Sequence, residues 1–165
     1  MGAYNRKDHL FERAKSEGYR SRAAYKLQEI QSKLKLIKKG DAVLDLGAWP
    51  GGWLQVAAEY VGSHGRVVGI DLQKIEDLKA SNIKTVVGDI TDHELIGSLS
   101  AEFGPFNGVI SDLSPKLTGI REVDHAATEH LAERTLQIAR DFLAPGGYFV
   151  IKLFKSPTAT AIVKQ

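Results

Sequence analysis

The sequence contains no cysteine among its 165 residues. Disulfide bonds and thiolate-bound metals are therefore excluded, and the reducing cytoplasm is the expected location. Long apolar runs are also missing, since none approaches the roughly 20 residues that a membrane-spanning helix needs. The first residues are polar and charged, unlike the apolar core of a secretory signal. His125 and His130 are poorly spaced for one helix face, so we predict no metal site.

What the sequence does contain is typical of one globular domain, with 43% apolar and 25% charged residues. Its charge is unevenly distributed. Residues 1–40 hold 11 basic and 4 acidic side chains, whereas residues 41–165 hold 11 basic and 16 acidic ones. We therefore expect a basic helical arm over residues 1–40, packed on a core over residues 41–165. Such an arm favours a polyanionic partner such as nucleic acid, with a merely solvated helix face as the alternative.

A glycine-rich turn follows the first predicted strand. Residues 42–46 form an apolar run that contains Asp45, and a helical pattern begins at Trp53. Between them, Gly47 and Gly51 allow positive φ angles and a close approach of a ligand to the backbone. The carboxyl ends of strands are where open α/β sheets bind ligands, so this loop predicts a binding site. A plain strand–turn–helix with packing glycines is the alternative interpretation.

Strands and helices alternate along the rest of the chain, which predicts an α/β fold with a mostly parallel sheet and helices on both faces. We predict strands over residues 42–46, 66–71, 83–89, 106–112 and 148–154, and helices over residues 6–18, 53–61, 74–81, 92–103 and 123–143. The first four strands end in or beside an aspartate: Asp45, Asp71, Asp89 and Asp112. Such a row of carboxylates suits a cationic ligand with hydroxyl and amine donors, and it would repel a pyrophosphate.

Basic residues mark two further places. Lys152 lies within the apolar fifth strand, where a lysine is costly unless it faces a site or a partner charge. Near the N-terminus, we predict that Ser21 caps a helix whose inner face is formed by Ala23, Leu27, Ile30 and Leu34. Basic side chains beside aromatic ones suit phosphates and unstacked bases, and here they are Arg20, Arg22 and Lys26 beside Tyr19 and Tyr25. An ordinary surface lysine is the alternative for Lys26.

Four segments together resemble one family. They are Ser21–Leu27, Asp45–Trp53, Ser111–Pro115 and Val150–Phe154. In this order and spacing they resemble the Rossmann-like methyltransferases that use S-adenosylmethionine (SAM), and among them the FtsJ/RrmJ family of RNA ribose 2′-O-methyltransferases. The resemblance covers about residues 10–165.

The resemblance implies roles for individual residues. Lys26, Asp112 and Lys152 match the first three members of a Lys-Asp-Lys-Glu catalytic tetrad, with Lys152 as the base that takes the hydroxyl proton. SAM-binding residues are implied at Gly47, Gly51, Trp53, Asp71, Asp89 and Asp112. The RNA-binding residues, Arg20, Arg22 and Lys26, are predicted from the basic and aromatic pattern described above.

The sequence departs from the family pattern at two places. Trp49 stands where the family usually has a small residue, so the mouth of the cofactor pocket is expected to be reshaped. The family also continues through a further helix and two strands that carry the tetrad's glutamate, and the sequence ends at Gln165 before them. We therefore expect a sheet that lacks the last two strands of the family fold.

The implied reaction is methyl transfer from SAM to a ribose 2′-hydroxyl, most directly a uridine of 23S-type ribosomal RNA within a ribosomal subunit, by a cytoplasmic monomer. Three alternatives stay open: transfer to tRNA, transfer to a small molecule, and a non-catalytic module that binds SAM or RNA. A dehydrogenase is disfavoured, because residues 47–52 do not form a G-x-G-x-x-G turn.

Overall fold

The computed structural model describes residues 6–115 and 118–153. Its helices are α1 (Arg6–Ser16), α2 (Ala24–Leu34), α3 (Gly52–Val61), α4 (His93–Phe103) and α5 (Arg121–Phe142). Its strands are β1 (Ala42–Leu46), β2 (Arg66–Asp71), β3 (Ile83–Val87), β4 (Phe106–Ser111) and β5 (Leu143–Ile151). None of these helices combines the length and the apolar character needed to cross a membrane.

The strands form one parallel sheet in the order β3-β2-β1-β4-β5. Every residue of β1 is buried, because β1 has a neighbour on each side and helices cover both faces. The chain builds the sheet outward from β1 through β2 to β3 and then returns to place β4 on the other side of β1. The predicted α/β class is confirmed, and the gap between β1 and β4 is a topological switch point, where such sheets bind ligands.

Two apolar cores lie on the two faces of the sheet. The alternation of side chains along β1 sends Val43 to one face and Leu44 to the other. The first core joins Val43 to α2 and α3, and the second joins Leu44 to α4 and α5. Asp92 accepts hydrogen bonds from the backbone N–H groups of Glu94 and Leu95, so it caps α4 as its position in the sequence predicts.

The helix after Ser21 differs from its prediction. It begins at Ala24, with Ala23 as the N-cap residue and no side-chain cap. Ser21 lies instead against the start of α3. Its hydroxyl is so close to Gly52 that a Cβ atom added to this glycine would collide with it. The buried side chains of α2 are those of Ala24, Leu27 and Gln31, while Leu34 is exposed.

Gln31 explains the changed inner face. Its side-chain amide donates to the carbonyl oxygen of Ile37 at 2.7 Å and its amide oxygen accepts from the Ile37 N–H at 2.9 Å. Both polar atoms are therefore paired when the side chain is buried, and the chain is held where it turns back toward β1.

The predicted helix over residues 74–81 is wrong, since the structure has no helix between β2 and β3. The carbonyl oxygen of Asp77 accepts a hydrogen bond from Nη2 of Arg20 at 3.0 Å. Lys79 has a φ of +52°, which no α-helix contains, and its N–H donates to the Asp77 carboxylate at 2.9 Å. Ile75 is buried and packs beside Gly51. Tertiary contacts thus replace the local helical pattern.

The fifth strand also differs from its prediction. It begins at Leu143, and residues 144–147, predicted as a turn, lie within it at a shift of register opposite Phe106 and Gly108. Lys152 follows the strand rather than lying in its middle, and its side chain is partly exposed. The predicted position of Lys152 within the fifth strand is therefore wrong by one residue, and β5 is an edge strand among the described residues. Phe154 lies outside the described residues.

Candidate active site

The carboxyl ends of the strands surround a cleft of about 910 Å³. Asp71 ends β2, Asp112 follows β4 directly, and Asp89 comes two residues after β3. All three line the cleft together with Gly47. The structure thus brings together four of the six residues predicted to bind SAM. The cleft is also lined by Trp49, Leu72, Gln73, Leu113, Ser114, Pro115, Ala127 and Leu131.

The glycine-rich loop takes its shape from two backbone positions. Gly47 and Gly51 have φ angles of +78° and +115°, which disfavour any side chain. A Cβ atom on Gly47 would also collide with the Leu113 side chain. These glycines therefore let the loop turn tightly between β1 and α3 while Gly47 contributes to the wall of the cleft.

Asp71 holds the loop to the end of β2. Its Oδ2 accepts from the Trp49 N–H at 3.0 Å, and its Oδ1 accepts from the Gln73 N–H at 2.8 Å. A carboxylate oxygen has capacity for more than one hydrogen bond, so each can still accept from a ligand hydroxyl. Asp71 therefore fits the predicted role of a ribose acceptor while it fixes the loop backbone.

Asp89 stays ionised at the outer end of the cleft. Its carboxylate accepts from the Thr91 N–H at 2.8 Å, and this backbone hydrogen bond holds the pKa of Asp89 below its ordinary value. The carboxylate is exposed, so it is available to accept from an amine of a ligand.

Asp45 lies beneath the loop, and it is only 1% exposed. Burial raises the pKa of Asp45 well above its ordinary value, and the neighbouring charges of Asp112 and Asp71 add to the shift. Its Oδ2 is buried without a hydrogen-bond partner among the described residues. A buried, unpartnered oxygen of this kind is rare, and it marks a place where a donor from a ligand would be stabilised.

Lys152 and Asp112 form an ion pair with 2.6 Å between Nζ and Oδ1. Lys152 Nζ also donates to the carbonyl oxygen of Asp112 at 3.2 Å and to Oγ of Ser114 at 2.9 Å. Its backbone N–H donates to the carbonyl of Ser111 at 2.9 Å, which continues the ladder between β4 and β5. Sequence reasoning did not identify Ser114, because its role depends on a contact across 38 residues.

Lys26 meets Lys152 in a second, smaller depression. This depression, of about 400 Å³, lies between α2 and the end of β5, and its lining includes both lysines with Ile30, Trp53 and Val150. It adjoins the larger cleft through the Lys152–Asp112 pair. The structure therefore brings together the three residues predicted to be catalytic, Lys26, Asp112 and Lys152.

Two of the predicted SAM-binding residues lie elsewhere. Trp53 is 4% exposed, and its indole Nε1 donates to the Ala23 carbonyl at 2.8 Å, which joins α3 to α2. Gly51 is the N-cap residue of α3 and faces Leu78. Neither lines the acidic cleft.

The predicted RNA-binding residues lie on the outside of α2 and the turn before it. Arg20, Arg22 and Lys26 are all exposed. Both tyrosines beside them make internal contacts, since the Tyr19 hydroxyl donates to Glu59 at 3.0 Å and the Tyr25 hydroxyl donates to Glu17 at 2.8 Å. The exposed positive charge of the arm is therefore carried by its basic side chains, and the tyrosines hold its helices in place.

The fold and the cleft define a Rossmann-like class that includes methyltransferases. A crystal structure described as that of a ribosomal RNA methyltransferase from Plasmodium falciparum has a TM-score of 0.75 at 26% identity, over 88% of this chain and 84% of that one. Aeropyrum pernix fibrillarin, solved with natively bound SAM, has a TM-score of 0.57 at 19% identity over 78% of this chain and 56% of that one, which shows the shared fold alone.

Within this class, the FtsJ-like methyltransferase family matches residues 19–165, so the chain belongs to that family. It is 50% identical over 153 residues to the ribosomal RNA large subunit methyltransferase E of Syntrophobacter fumaroxidans, covering 93% of this chain and 78% of the relative. It is 46% identical over 164 residues to the protein of the same name from Methanothermobacter thermautotrophicus, covering 99% of this chain and 78% of that one. The family resemblance and the predicted enzyme class are confirmed.

Proposed function

We propose that this chain transfers a methyl group from SAM to a ribose 2′-hydroxyl of large-subunit ribosomal RNA. The observation that carries the proposal is the Lys152–Asp112 pair, which joins an acidic, nucleoside-sized cleft to a depression that also contains Lys26. The names of the two relatives support ribosomal RNA as the acceptor.

The donor set of the cleft fits SAM. Asp71 accepts from ribose hydroxyls and Asp89 accepts from the adenine amine, and both line the cleft. The unpartnered oxygen of Asp45, buried beneath the loop, is proposed to accept from a donor of the methionine end. When bound, SAM supplies a methyl group that is activated by a positively charged sulfur. A net negative cleft attracts such a cation, whereas it would repel a phosphate-bearing cofactor.

Lys152 is proposed as the group that receives the proton of the ribose hydroxyl. The Asp112 carboxylate, 2.6 Å from its Nζ, orients Lys152 where the cleft adjoins the depression that contains Lys26. Lys26 stabilises the negative charge that develops on the acceptor oxygen.

The exposed basic side chains of the arm, Arg20, Arg22 and Lys26, are proposed to hold the RNA backbone beside this depression. Residues 1–40 thus form an RNA-facing arm and residues 41–165 the methyltransferase core. The cysteine-free sequence supports action in the cytoplasm, and we propose a monomer that acts on RNA within a ribosomal subunit.

The test uses SAM labelled in its methyl group, with large-subunit ribosomal RNA, ribosomal subunits and tRNA as separate acceptors. A methylated 2′-oxygen cannot attack the neighbouring phosphate, so the label is expected in an alkali-resistant dinucleotide from ribosomal RNA. Label in a base overturns the ribose assignment, and label in tRNA alone changes the acceptor. SAM binding measured by calorimetry, without transfer to any of the acceptors, would mean that the chain is a non-catalytic module.

A further inference from the structure

The rim of the acidic cleft carries two apolar side chains in contact with solvent. Trp49 is 49% exposed and Leu72 is 70% exposed, and both line the cleft. Such large apolar groups are usually covered when they border a binding site, because covering them removes apolar surface from water. They lie on the loop after β1 and directly after β2, so they border the cleft on the side of Asp71.

We propose that Trp49 is a cofactor-binding residue whose indole packs against the adenosine part of SAM. This inference rests on the proposed function, and it adds a contact that the family pattern does not supply, since a small residue is usual at this position. It assigns to Trp49 a part of the binding affinity for the nucleoside.

A backbone hydrogen bond fixes the position of Trp49 at the rim of the cleft. The Trp49 N–H donates to Oδ2 of Asp71 at 3.0 Å, and Oδ1 of the same carboxylate accepts from the Gln73 N–H at 2.8 Å. The backbone of Trp49 is thereby held beside the carboxylate that is proposed to accept from the ribose, and Leu72 follows that residue directly in the chain. A nucleoside whose hydroxyls reach Asp71 therefore places its rings within reach of the indole.

The chemistry of the cleft divides the ligand in the same way. The carboxylates of Asp71 and Asp89 pair with polar edges, whereas an indole offers a flat apolar face. The adenine base has such a face as well, and stacking of a base on an aromatic side chain is stabilising. If the indole instead faced the positively charged sulfur, it would distinguish SAM from S-adenosylhomocysteine (SAH), which lacks that charge.

Fluorescence provides a direct test because the protein has two tryptophans. Trp53 is 4% exposed, so quenching by acrylamide reports mainly on Trp49, which is 49% exposed. SAM, SAH and adenosine are each expected to protect the wild-type protein from quenching, and methionine is not. Trp49→Phe should remove the quenchable component and its protection. Protection by methionine but not by adenosine overturns the assignment.

Affinity measured by calorimetry completes the test. Trp49→Ala is expected to weaken binding of SAM and SAH equally, by about tenfold, and Trp49→Phe to retain most of the affinity. Tyr60→Ala removes a 36% exposed aromatic side chain of α3 outside the cleft, and it should leave both affinities unchanged. Circular dichroism and the emission of Trp53 check that the variants fold.

The outcomes separate this inference from the proposed function. SAM binding that is equal in wild type and Trp49→Ala overturns the role of Trp49 and leaves the proposed function intact. A loss of affinity for SAM but not for SAH would mean that the indole contacts the charged sulfur, and it would overturn the adenosine contact. Absence of SAM binding to the wild-type protein overturns both.

Discussion

The two sides of the cleft carry the same kind of residue in different electrostatic settings. On the side of β2 and β3, the carboxylates of Asp71 and Asp89 form no salt bridge to lysine or arginine among the described residues, and the buried Asp45 lies beneath the loop beside them. On the side of β4 and β5, Asp112 is neutralised by Lys152 at 2.6 Å. One side thus has uncompensated negative charge, and the other has a preformed ion pair.

This difference indicates what each side is built to receive. Uncompensated carboxylates stabilise a cation with hydroxyl and amine donors, which describes the proposed cofactor. An ion pair has little net charge, so it suits a neutral hydroxyl whose proton must move. We call the first group the cofactor side and the second the reaction side. If this division is right, substitutions on the reaction side reduce turnover, and those on the cofactor side reduce SAM affinity.

The largest effect is expected for Lys152→Ala. Loss of a positioned proton acceptor typically lowers turnover by about 10²- to 10⁴-fold. Because Lys152 lies on the reaction side, the dissociation constant for SAM should stay within about threefold of the wild-type value. Methyl transfer to ribosomal RNA and SAM calorimetry measure the two quantities.

Lys84→Ala is the matched control for Lys152, since Lys84 is an exposed lysine on the opposite edge strand, β3, away from both depressions. It should retain full turnover. Unchanged turnover in Lys152→Ala would remove that lysine from the reaction and would erase the difference between the two sides.

On the cofactor side, Asp71→Ala is expected to weaken SAM binding by about 10- to 100-fold, because hydrogen bonds to a charged acceptor are among the stronger ones. It also removes the acceptor for the Trp49 and Gln73 N–H groups. Turnover at saturating SAM should fall much less than in Lys152→Ala. Asp141→Ala, on the exposed end of α5, serves as control. A loss of turnover at unchanged SAM affinity would contradict the assignment of Asp71 to the cofactor side.

The cofactor side was largely predictable from the sequence, and the physical reason is local. Apolar runs that end beside an aspartate define β1, β2 and β4 to within a residue, and parallel strands bring their ends together. The same pattern could not tell which way a side chain on the following helix points. Trp53 was implied as a cofactor residue by the family resemblance instead. Its indole Nε1 donates to the Ala23 carbonyl, and its role in SAM binding stays a prediction.

Long-range contacts were the part that the sequence did not reveal. The helix predicted over residues 74–81 has apolar residues at helical spacing, but Arg20, 57 residues earlier, takes the carbonyl of Asp77 that a helix would use. Ser114 likewise is recognised as a site residue only from the hydrogen bond that its hydroxyl accepts from Lys152. Lys26 and Lys152 were paired through the family resemblance, since nothing local joins α2 to the end of β5.

The protonation of Asp45, which lies beneath the cofactor side, provides a further test. Because burial raises the pKa of Asp45 above its ordinary value of 3.8, the folded protein holds a proton that the unfolded chain releases at higher pH. Its contribution to stability is therefore fully present below pH 3.8 and is lost as the pH rises through the raised pKa. Asp45→Asn removes this loss, so its melting temperature relative to wild type should increase from about pH 5 to pH 8.

Differential scanning calorimetry of the cofactor-free protein measures this difference, and Asp124→Asn is the control. Hydrogen bonds from Thr118 hold the pKa of Asp124 below its ordinary value, so Asp124 is ionised in both states across that range. Its difference from wild type should be constant between about pH 5 and pH 8. Parallel pH curves for Asp45→Asn and wild type would mean that Asp45 is as ionised in the fold as out of it.

The smallest effect is expected at the arm beside the reaction side. Arg22 is exposed, and a single phosphate contact contributes modestly, so Arg22→Ala should weaken RNA binding by only a few-fold at moderate salt. The slope of the logarithm of affinity against the logarithm of salt concentration should fall by about one, because one fewer counterion is released. Binding of RNA at several salt concentrations tests this, with Lys84→Ala as a control of equal charge change. An equal change of slope in both variants would mean that total charge, rather than the position of the arm beside Lys26 and Lys152, determines RNA binding.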